Sequence, residues 1–192
     1  MRSPLDTMLR DHRVIRQALD ALDGFARNLK PDAPLDRAEL RRFADFFRTF
    51  ADIHHGTKEE TIFFPALARG PAQWQTGPLL EARHEHRRER YYLDNFNHVS
   101  LQDREPDETA LLCLRDQLRE FAEALRAHLA FEERAVFPLV ERLLPEDRQR
   151  LCDELERFDA SPPSAKDLAP MMRLAETLWL RHAAEAAQSD GY

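Results

Sequence analysis

One pattern of potential metal ligands occurs twice in this sequence. The pattern is H-x-x-x-E-E-x-x-x-F-P, and its two copies begin at His55 and at His128. An imidazole and a carboxylate four positions apart lie on nearly the same face of a helix, about 6 Å apart along its axis. His55 with Glu59, and His128 with Glu132, can therefore reach one metal ion or two neighbouring ions.

A further histidine precedes each copy of this motif at a nearly equal distance. His12 lies 43 positions before His55, and His86 lies 42 positions before His128; each stands in an acidic–His–Arg triplet. Six buried ionisable groups without a metal ion would cost many kcal/mol of desolvation, so a dinuclear metal site is favoured over six unrelated positions. The predicted metal ligands are His12, His55, Glu59, His86, His128 and Glu132.

Two of these histidines have a competitor close by in the sequence. His54 extends the apolar stripe of its helix as well as His55 does, but it has no glutamate four positions later and aligns with Ala127 of the second copy. His84 deviates from the repeat spacing by as much as His86 does. His86 is preferred because it stands in the matching triplet, and both alternatives stay open on pattern alone.

Other polar residues near the motifs are expected outside the ligand set. Glu60, Glu133 and Asp11 could orient ligand imidazoles, although exposure to solvent is the stronger expectation for these carboxylates. His98 and His182 have no partner in the repeat and are expected at the surface. A ferritin-like site, the alternative on ligand spacing, needs Glu-x-x-His on two helices, and the sequence has this spacing once, ending at His84.

The composition is typical of a helical protein. The chain has 192 residues and only 5 Gly, and Ala, Leu, Arg and Glu, which favour helices, dominate it. Apolar residues recur at steps of three and four in four long segments, and Pro65 and Pro138 are expected to interrupt the second and the fourth. The segments cover about 5–29, 36–64, 78–97 and 106–137. Short connections between them predict an all-α, antiparallel up-down-up-down four-helix bundle.

The last part of the chain follows a different pattern. Residues 146–158 and 168–187 could each form a helix, separated by a Ser-Pro-Pro-Ser break. We therefore predict a bundle domain of residues 1–144 and a C-terminal helical extension of residues 145–192 packed on it. Covering apolar surface is the expected role of this extension. The alternative is a surface for a protein partner or a homodimer.

Charge and cysteine content exclude several classes of protein. Lys and Arg number 28 against 35 Asp and Glu, which gives a net charge of −7 and argues against binding to nucleic acid or to an anionic membrane. Cys113 and Cys152 stand alone, which favours inert thiols over a disulfide framework. No apolar run approaches membrane-spanning length, and the N-terminus lacks the apolar core of a signal peptide, so a cytoplasmic location is expected.

The ligand pattern resembles that of the hemerythrin-like (HHE cation-binding) family over about residues 5–144. The resemblance rests on the six predicted ligands and on the two Phe-Pro endings of the motif. It implies an antiparallel four-helix bundle that holds two iron ions. In this arrangement Glu59 and Glu132 bridge both irons, an oxo or hydroxo bridge is allowed between them, and the four histidines divide between the two ions.

The chain departs from the oxygen-carrying members of this family, which use five histidines, a glutamate and a more distant aspartate. It is similar to the branch with four histidines and two glutamates, associated with nitric oxide, peroxide or iron handling. The resemblance therefore implies a di-iron protein that binds or senses O2, NO or peroxide. The alternatives are a detoxifying enzyme with catalase-like or peroxidase-like activity and a metal-dependent regulatory module.

Overall fold

The computed structural model describes the backbone of residues 3–189 and, within that range, all side chains except those of 162–165 and 183–189. The predicted all-α fold is confirmed, because the regular structure of these residues is helical throughout, without a strand. The α-helices are α1 (Pro4–Asn28), α2 (Arg37–Phe46), α3 (Phe64–Leu67), α4 (Ala72–Thr76), α5 (Pro78–Ser100), α6 (Glu108–Phe131), α7 (Pro145–Ala160) and α8 (Pro162–Ser189).

Local sequence explains where the helices of the bundle begin. The Ser3 side chain accepts a hydrogen bond from the N–H of Leu5, and the Asp6 side chain accepts one from the N–H of Ser3, which forms a capping box for α1. Asp36 and Asp107 cap α2 and α6 by accepting hydrogen bonds from N–H groups three residues later. The caps at Asp36 and Asp107 set the first residue of the two helices that lead to the copies of the motif.

Helical segments other than α-helices continue α2 and α6 through the motifs. π-helices cover Phe47–Gly56 and Glu59–Phe63 after α2, and Glu132–Val136 after α6; a 3-10 helix, Phe137–Arg142, follows the last of these. At Pro65 and Pro138 the winding changes while the backbone stays helical. Each proline lies in the first turn of the next segment, α3 or the 3-10 helix, directly after the preceding π-helix ends.

In neighbouring helices of the bundle, residues late in one helix contact residues early in the next. Phe25 of α1 contacts Phe43 of α2, with ring centroids 5.3 Å apart, whereas earlier in α1 His12 contacts His55, at 4.9 Å. The contacts between α5 and α6 and between α1 and α6 show the same reversal. Each ligand-bearing helix therefore runs antiparallel to the neighbours that it contacts in these pairs.

The C-terminal helices pack against the bundle. Ala175 and Leu178 of α8 are fully buried in the apolar cluster that contains most of the inward face of α1. Gly24 permits this close approach, because a Cβ at that position would lie 2.2 Å from the carbonyl oxygen of His182. The prediction that His182 is a surface residue without a partner is wrong, since its ring is half-buried and its Nε2 lies 2.8 Å from Oε1 of Glu39. The division of the chain at residue 144 stays a prediction.

Two apolar clusters flank the predicted ligands. Ile15 belongs to the cluster around α1, α2 and α6, whereas Met8 belongs to the one around α3, α7 and the Phe-Pro segments. His12 lies between these two residues in α1, so the ligand layer separates the clusters. None of the described helices is both long enough and apolar enough to cross a membrane.

Candidate metal centre

The structure brings the six predicted ligands together at the centre of the bundle. Their donor atoms form two groups of four, within each of which all atoms lie within 4.8 Å of one another. One group is His12, His55, Glu59 and Glu132, and the other is Glu59, His86, His128 and Glu132. Both groups contain the same two carboxylates. Each of the six residues is buried, with at most 6% of its surface exposed.

The π-helix explains why His55 rather than His54 joins the cluster. Phe43, Phe47 and Phe50 are buried at helical spacing, and an α-helix would place His54 next on the same face. The wider π-helix, with its i to i+5 hydrogen bonds, instead aligns Phe50 with His55, five residues later. His54 is also buried, but its ring contacts Phe50 and, in α7, Phe158. His84 is exposed and outside the cluster.

Two of the predicted ligand histidines are held by glutamates from the opposite copy of the repeat. Nδ1 of His12 lies 2.8 Å from Oε1 of Glu133, and Nδ1 of His86 lies 2.8 Å from Oε1 of Glu60. Both glutamates are about one-third exposed, at 31% and 32%, so the expected exposure to solvent is only partial. A carboxylate on Nδ1 fixes the ring orientation and directs Nε2 inward, as is usual for metal-binding histidines.

The other two histidines are held by acids from their own copy of the repeat. Nδ1 of His128 lies 2.7 Å from Oε2 of Glu85, and Nδ1 of His55 lies 3.5 Å from Oδ2 of Asp11. The longer contact is ionic rather than a well-formed hydrogen bond. Asp11 is fully buried, which contradicts the expectation of a solvent-exposed carboxylate. The acidic member of each His triplet therefore lies against the histidine of the following motif.

The Phe-Pro endings of the motif also act across the repeat. The ring of Phe64 stacks on His86 at 6.0 Å between centroids, and the ring of Phe137 lies 5.0 Å from that of His12. Both phenylalanines are almost completely buried. Each copy of the motif thus supplies two predicted ligands of its own. It also supplies a glutamate and an aromatic ring that position a histidine from the other copy.

The inward-facing atoms of the cluster fit a bound cation. Nε2 of His12 and Nε2 of His55 are 3.2 Å apart, and a neutral ring that donates from Nδ1 carries a lone pair on Nε2. Both carboxylate oxygens of Glu59 and of Glu132 are buried without a hydrogen-bonding partner among the described residues. Two donors about 2.1 Å from one metal and at right angles to each other would be about 3 Å apart. Nε2 of His55 and Oε1 of Glu59, at 3.3 Å, come close to this separation.

The pKa values of the clustered groups diverge, as expected when two acids share one buried site. Burial raises the pKa of Glu132 well above its ordinary value, and the negative charge of Glu59 raises it further. Burial also raises the pKa of Glu59, but His55 and His86 more than offset this and hold it well below the ordinary value. Burial lowers the pKa of both histidines, whereas adjacent carboxylates raise it, to about 9 for His55 and about 10 for His86. Cations at the centre would replace these protons.

A buried lysine lies beside the cluster, and the sequence analysis did not identify it. Lys58 is fully buried, and its Nζ donates hydrogen bonds to Oδ2 of Asp11 and, at 3.1 Å, to Oδ1 of Asp159 in α7. Burial raises the pKa of Asp11, but His55 and Lys58 more than offset this and hold it below the ordinary value. A lysine between charged residues gives no sequence signal of burial, so only the packing of α7 reveals this contact.

A small cavity adjoins the histidines on the side of the larger apolar cluster. Its volume is about 20 Å³, enough for one water-sized molecule. The walls are mostly apolar, and the polar exceptions include Glu89, another residue that the sequence analysis missed. The lining residues include Ile15, His55, His86, Glu89, Phe121 and His128.

Comparison with protein families agrees with this geometry. The family model for the hemerythrin HHE cation binding domain matches residues 3–140. The chain therefore belongs to this family, and the buried His/Glu cluster is compatible with its branch of four histidines and two glutamates. Searches of curated proteins and of solved structures found no match to this chain.

Proposed function

We propose that this member of the hemerythrin HHE cation binding family holds two iron ions and binds or senses O2, NO or peroxide. The observation that carries the proposal is the pair of four-donor groups with both carboxylates in common. His12 and His55 would hold one ion, and His86 and His128 the other. Glu59 and Glu132, whose oxygens lack hydrogen-bonding partners among the described residues, would bridge the two ions.

The donor set suits iron, but it suits other metals as well. Nitrogen and oxygen donors without a thiolate suit iron, manganese and zinc. Two imidazoles and two bridging carboxylates give each ion four protein donors, which leaves room for a small external ligand. Bound iron would supply the affinity for a diatomic molecule or peroxide and the ability to exchange electrons with it.

The protein's own side chains would control access and orientation. Glu133, Glu60 and Glu85 would accept hydrogen bonds from Nδ1–H of their histidines, which leaves each Nε2 to bind a metal ion. The mostly apolar cavity beside the histidines is small, with a volume of about 20 Å³. This size supports a diatomic molecule or peroxide as the ligand over a larger substrate.

Substitution of individual ligands tests the proposal. Full-length protein and the variants His55→Ala and Glu132→Ala would be loaded with ferrous iron without oxygen, and iron per chain and helical content would be measured. We expect two irons in the wild type and loss of most iron in both variants, with little change in circular dichroism. His54→Ala is the matched control, because His54 is the neighbouring buried histidine outside the cluster.

Equal iron content in the wild type and both ligand variants would contradict the proposed site. Optical and Mössbauer spectra of the wild type, with and without O2 and NO, then test the ligand. A coupled pair of irons that responds to either gas is expected. Spectra of isolated ions, or no response to NO, O2 or peroxide, would contradict the proposed function.

A second candidate is a regulatory module in which metal binding is sensed by the C-terminal helices. The observation that favours it is the hydrogen bond from Lys58 to Asp159, which joins α7 to the acid beside His55. If this candidate is correct, iron loading should slow amide hydrogen exchange in α7. Unchanged exchange in α7 on iron loading would argue against it.

A further inference from the structure

The cavity beside the ligand cluster has two unlike walls at matching positions of the repeat. Ile15 lies three residues after His12, and Glu89 lies three residues after His86. Both side chains line the cavity. Ile15 is fully buried and apolar, whereas Oε1 of Glu89 is a buried oxygen without a hydrogen-bonding partner among the described residues. The pseudo-symmetry of these two positions is therefore broken by the carboxyl group of Glu89. The lining also includes the carboxyl group of Asp52, but that group is paired with Arg48 and Arg90.

Glu89 differs from the two bridging glutamates in its place in the site. It is not among the donor atoms that cluster within 4.8 Å in the described part of the chain. Its position is therefore that of a cavity wall rather than of a metal ligand. Burial raises the pKa of Glu89, and the neighbouring imidazoles of His128 and His86 only partly offset this. Whether ionised or protonated, a carboxyl group keeps an oxygen that accepts hydrogen bonds.

An acceptor facing a cavity of this size selects among small ligands. Hydrogen peroxide has O–H groups that donate hydrogen bonds, whereas O2 and NO have no hydrogen to donate. A site built to hydrogen-bond a ligand O–H discriminates against analogues that lack it, because its buried polar atom would then stay unpaired. The volume of about 20 Å³ disfavours bulky organic hydroperoxides.

We propose that Glu89 is a specificity-determining residue whose Oε1 accepts a hydrogen bond from hydrogen peroxide in the cavity, so that the site favours peroxide over NO and O2. This inference rests on the proposed function, since it assumes that the cavity ligand binds beside the metal ions. It narrows the ligand class to small molecules that donate an O–H.

Two substitutions at Glu89 separate the acceptor from the space that it fills. Glu89→Ile gives the cavity the same side chain on both walls, and Glu89→Gln keeps a carbonyl acceptor without the charge. Iron content, NO affinity from anaerobic optical titration, and the peroxide concentration that gives half-maximal peroxide disappearance would be measured for full-length, iron-loaded protein. Ile15→Leu is the control for cavity shape, because it changes an apolar wall at nearly constant volume.

We expect Glu89→Ile to raise the half-maximal peroxide concentration at least about tenfold, with iron content and NO affinity unchanged or NO affinity increased. Glu89→Gln should stay within about threefold of the wild type, and Ile15→Leu should affect both ligands alike. Loss of iron in Glu89→Ile would identify a metal ligand and overturn the inference. Equal effects on NO and peroxide, or no effect on either, would also overturn it.

The outcomes distinguish this inference from the proposed function. If the wild type holds iron and binds NO but does not consume peroxide, the specificity role fails and the gas-binding function stands. If the wild type holds no iron, both fail together.

Discussion

The two copies of the repeat give the cluster matching histidine and glutamate side chains but place them in different surroundings. Beside His55, the acid Asp11 is fully buried and its charge is neutralised by Lys58. Beside His128, the corresponding acid Glu85 is 31% exposed, and Phe131 occupies the position that matches Lys58. The motif therefore specifies the donors, whereas the environment of each donor depends on what packs outside the bundle.

The difference originates in the C-terminal helices. Asp159, at the end of α7, reaches Lys58 and also accepts a hydrogen bond from Arg10 of α1, at 2.8 Å. This contact covers the first copy of the motif and takes its charges out of water. Glu85 has no such cover, so water can screen its charge. The two sides should therefore respond differently to the same kind of substitution.

The largest expected effect follows from Lys58→Met. The substitution leaves Arg10, which also contacts Asp11 and Asp159, as the remaining cation beside these acids. Breaking a buried ion pair costs about 3–5 kcal/mol of unfolding free energy, and because Arg10 remains we expect a loss near the lower end of this range. Phe131→Met, at the matching position, replaces a half-buried apolar side chain with another and should cost less than about 1.5 kcal/mol. Urea denaturation of metal-free protein measures both. Similar losses in the two variants would contradict the asymmetry.

Neutralising the acids behind the histidines should affect metal affinity to different degrees. Asp11→Asn removes a fully buried charge beside His55 and should weaken iron binding about 10–100-fold. Glu85→Gln should weaken it about tenfold or less, because water can partly replace the exposed carboxylate. Competition with a chelator gives both affinities. A larger effect at Glu85 than at Asp11 would reverse the comparison.

His12 and His86 occupy matching positions before the two copies of the motif, but only His86 should release a proton when metal binds. Burial and the positive charge of His55 lower the pKa of His12 to about 4, so His12 is neutral at pH 7. The pKa of His86, raised to about 10 despite burial, keeps that ring protonated. Since iron must displace this proton, apparent affinity should rise as pH increases from 7 toward 9, by about tenfold per pH unit for each proton displaced.

Titration calorimetry in two buffers with different ionisation enthalpies measures this proton release. Metal uptake at pH 7 without release of protons, or affinity that falls as pH increases, would contradict it. Histidine NMR spectra of metal-free protein provide the control, since the His12 ring should not titrate between pH 6 and 8.

The smallest effects are expected at the two arginines outside the cluster, of which Arg90 also contacts Asp52, at 2.7 Å. Arg16 lies 2.8 Å from Glu133, and Arg90 lies 2.7 Å from Glu60. Both arginine side chains are about one-third exposed, at 36% and 35%. Arg16→Gln and Arg90→Gln should each cost less than about 1 kcal/mol of unfolding free energy. A difference of more than 1 kcal/mol between them would mean that the asymmetry extends beyond the surroundings of Asp11 and Glu85.

Local patterns were enough to predict the helical fold and the residues that meet at its centre. The pair His55 and Glu59 is recognisable because its spacing is fixed within one helix, and the repeat at His128 removes most accidental matches. The choice of His55 over His54 followed from alignment of the copies. Its physical cause, a π-helix, depends on packing that no local pattern records. The role of these residues as metal ligands stays a prediction.

Residues whose role depends on distant packing could not be predicted. Lys58 and its partner Asp159 are 101 positions apart, and an isolated lysine in a helix normally faces solvent. Nothing in the sequence distinguishes Glu89 from an ordinary exposed glutamate in a helix. Only the structure shows that one of its oxygens is buried and that the residue lines the cavity. His182 was assigned to the surface because nothing in its own helix indicates the contact with Glu39.

The π-helix before the first motif makes the length of its helix adjustable. Ile53, 56% exposed, lies between Phe50 and His55, and its removal would leave these two residues four positions apart, the spacing that an α-helix aligns. The backbone could then relax to ordinary winding with the imidazole still aimed inward. In α6, where Leu125 and His128 are already three positions apart, removing a residue between them would rotate the ring by about 100° away from its partners. Deletion of one residue should therefore be tolerated in the π-helix that leads to His55 and disruptive in α6, which leads to His128.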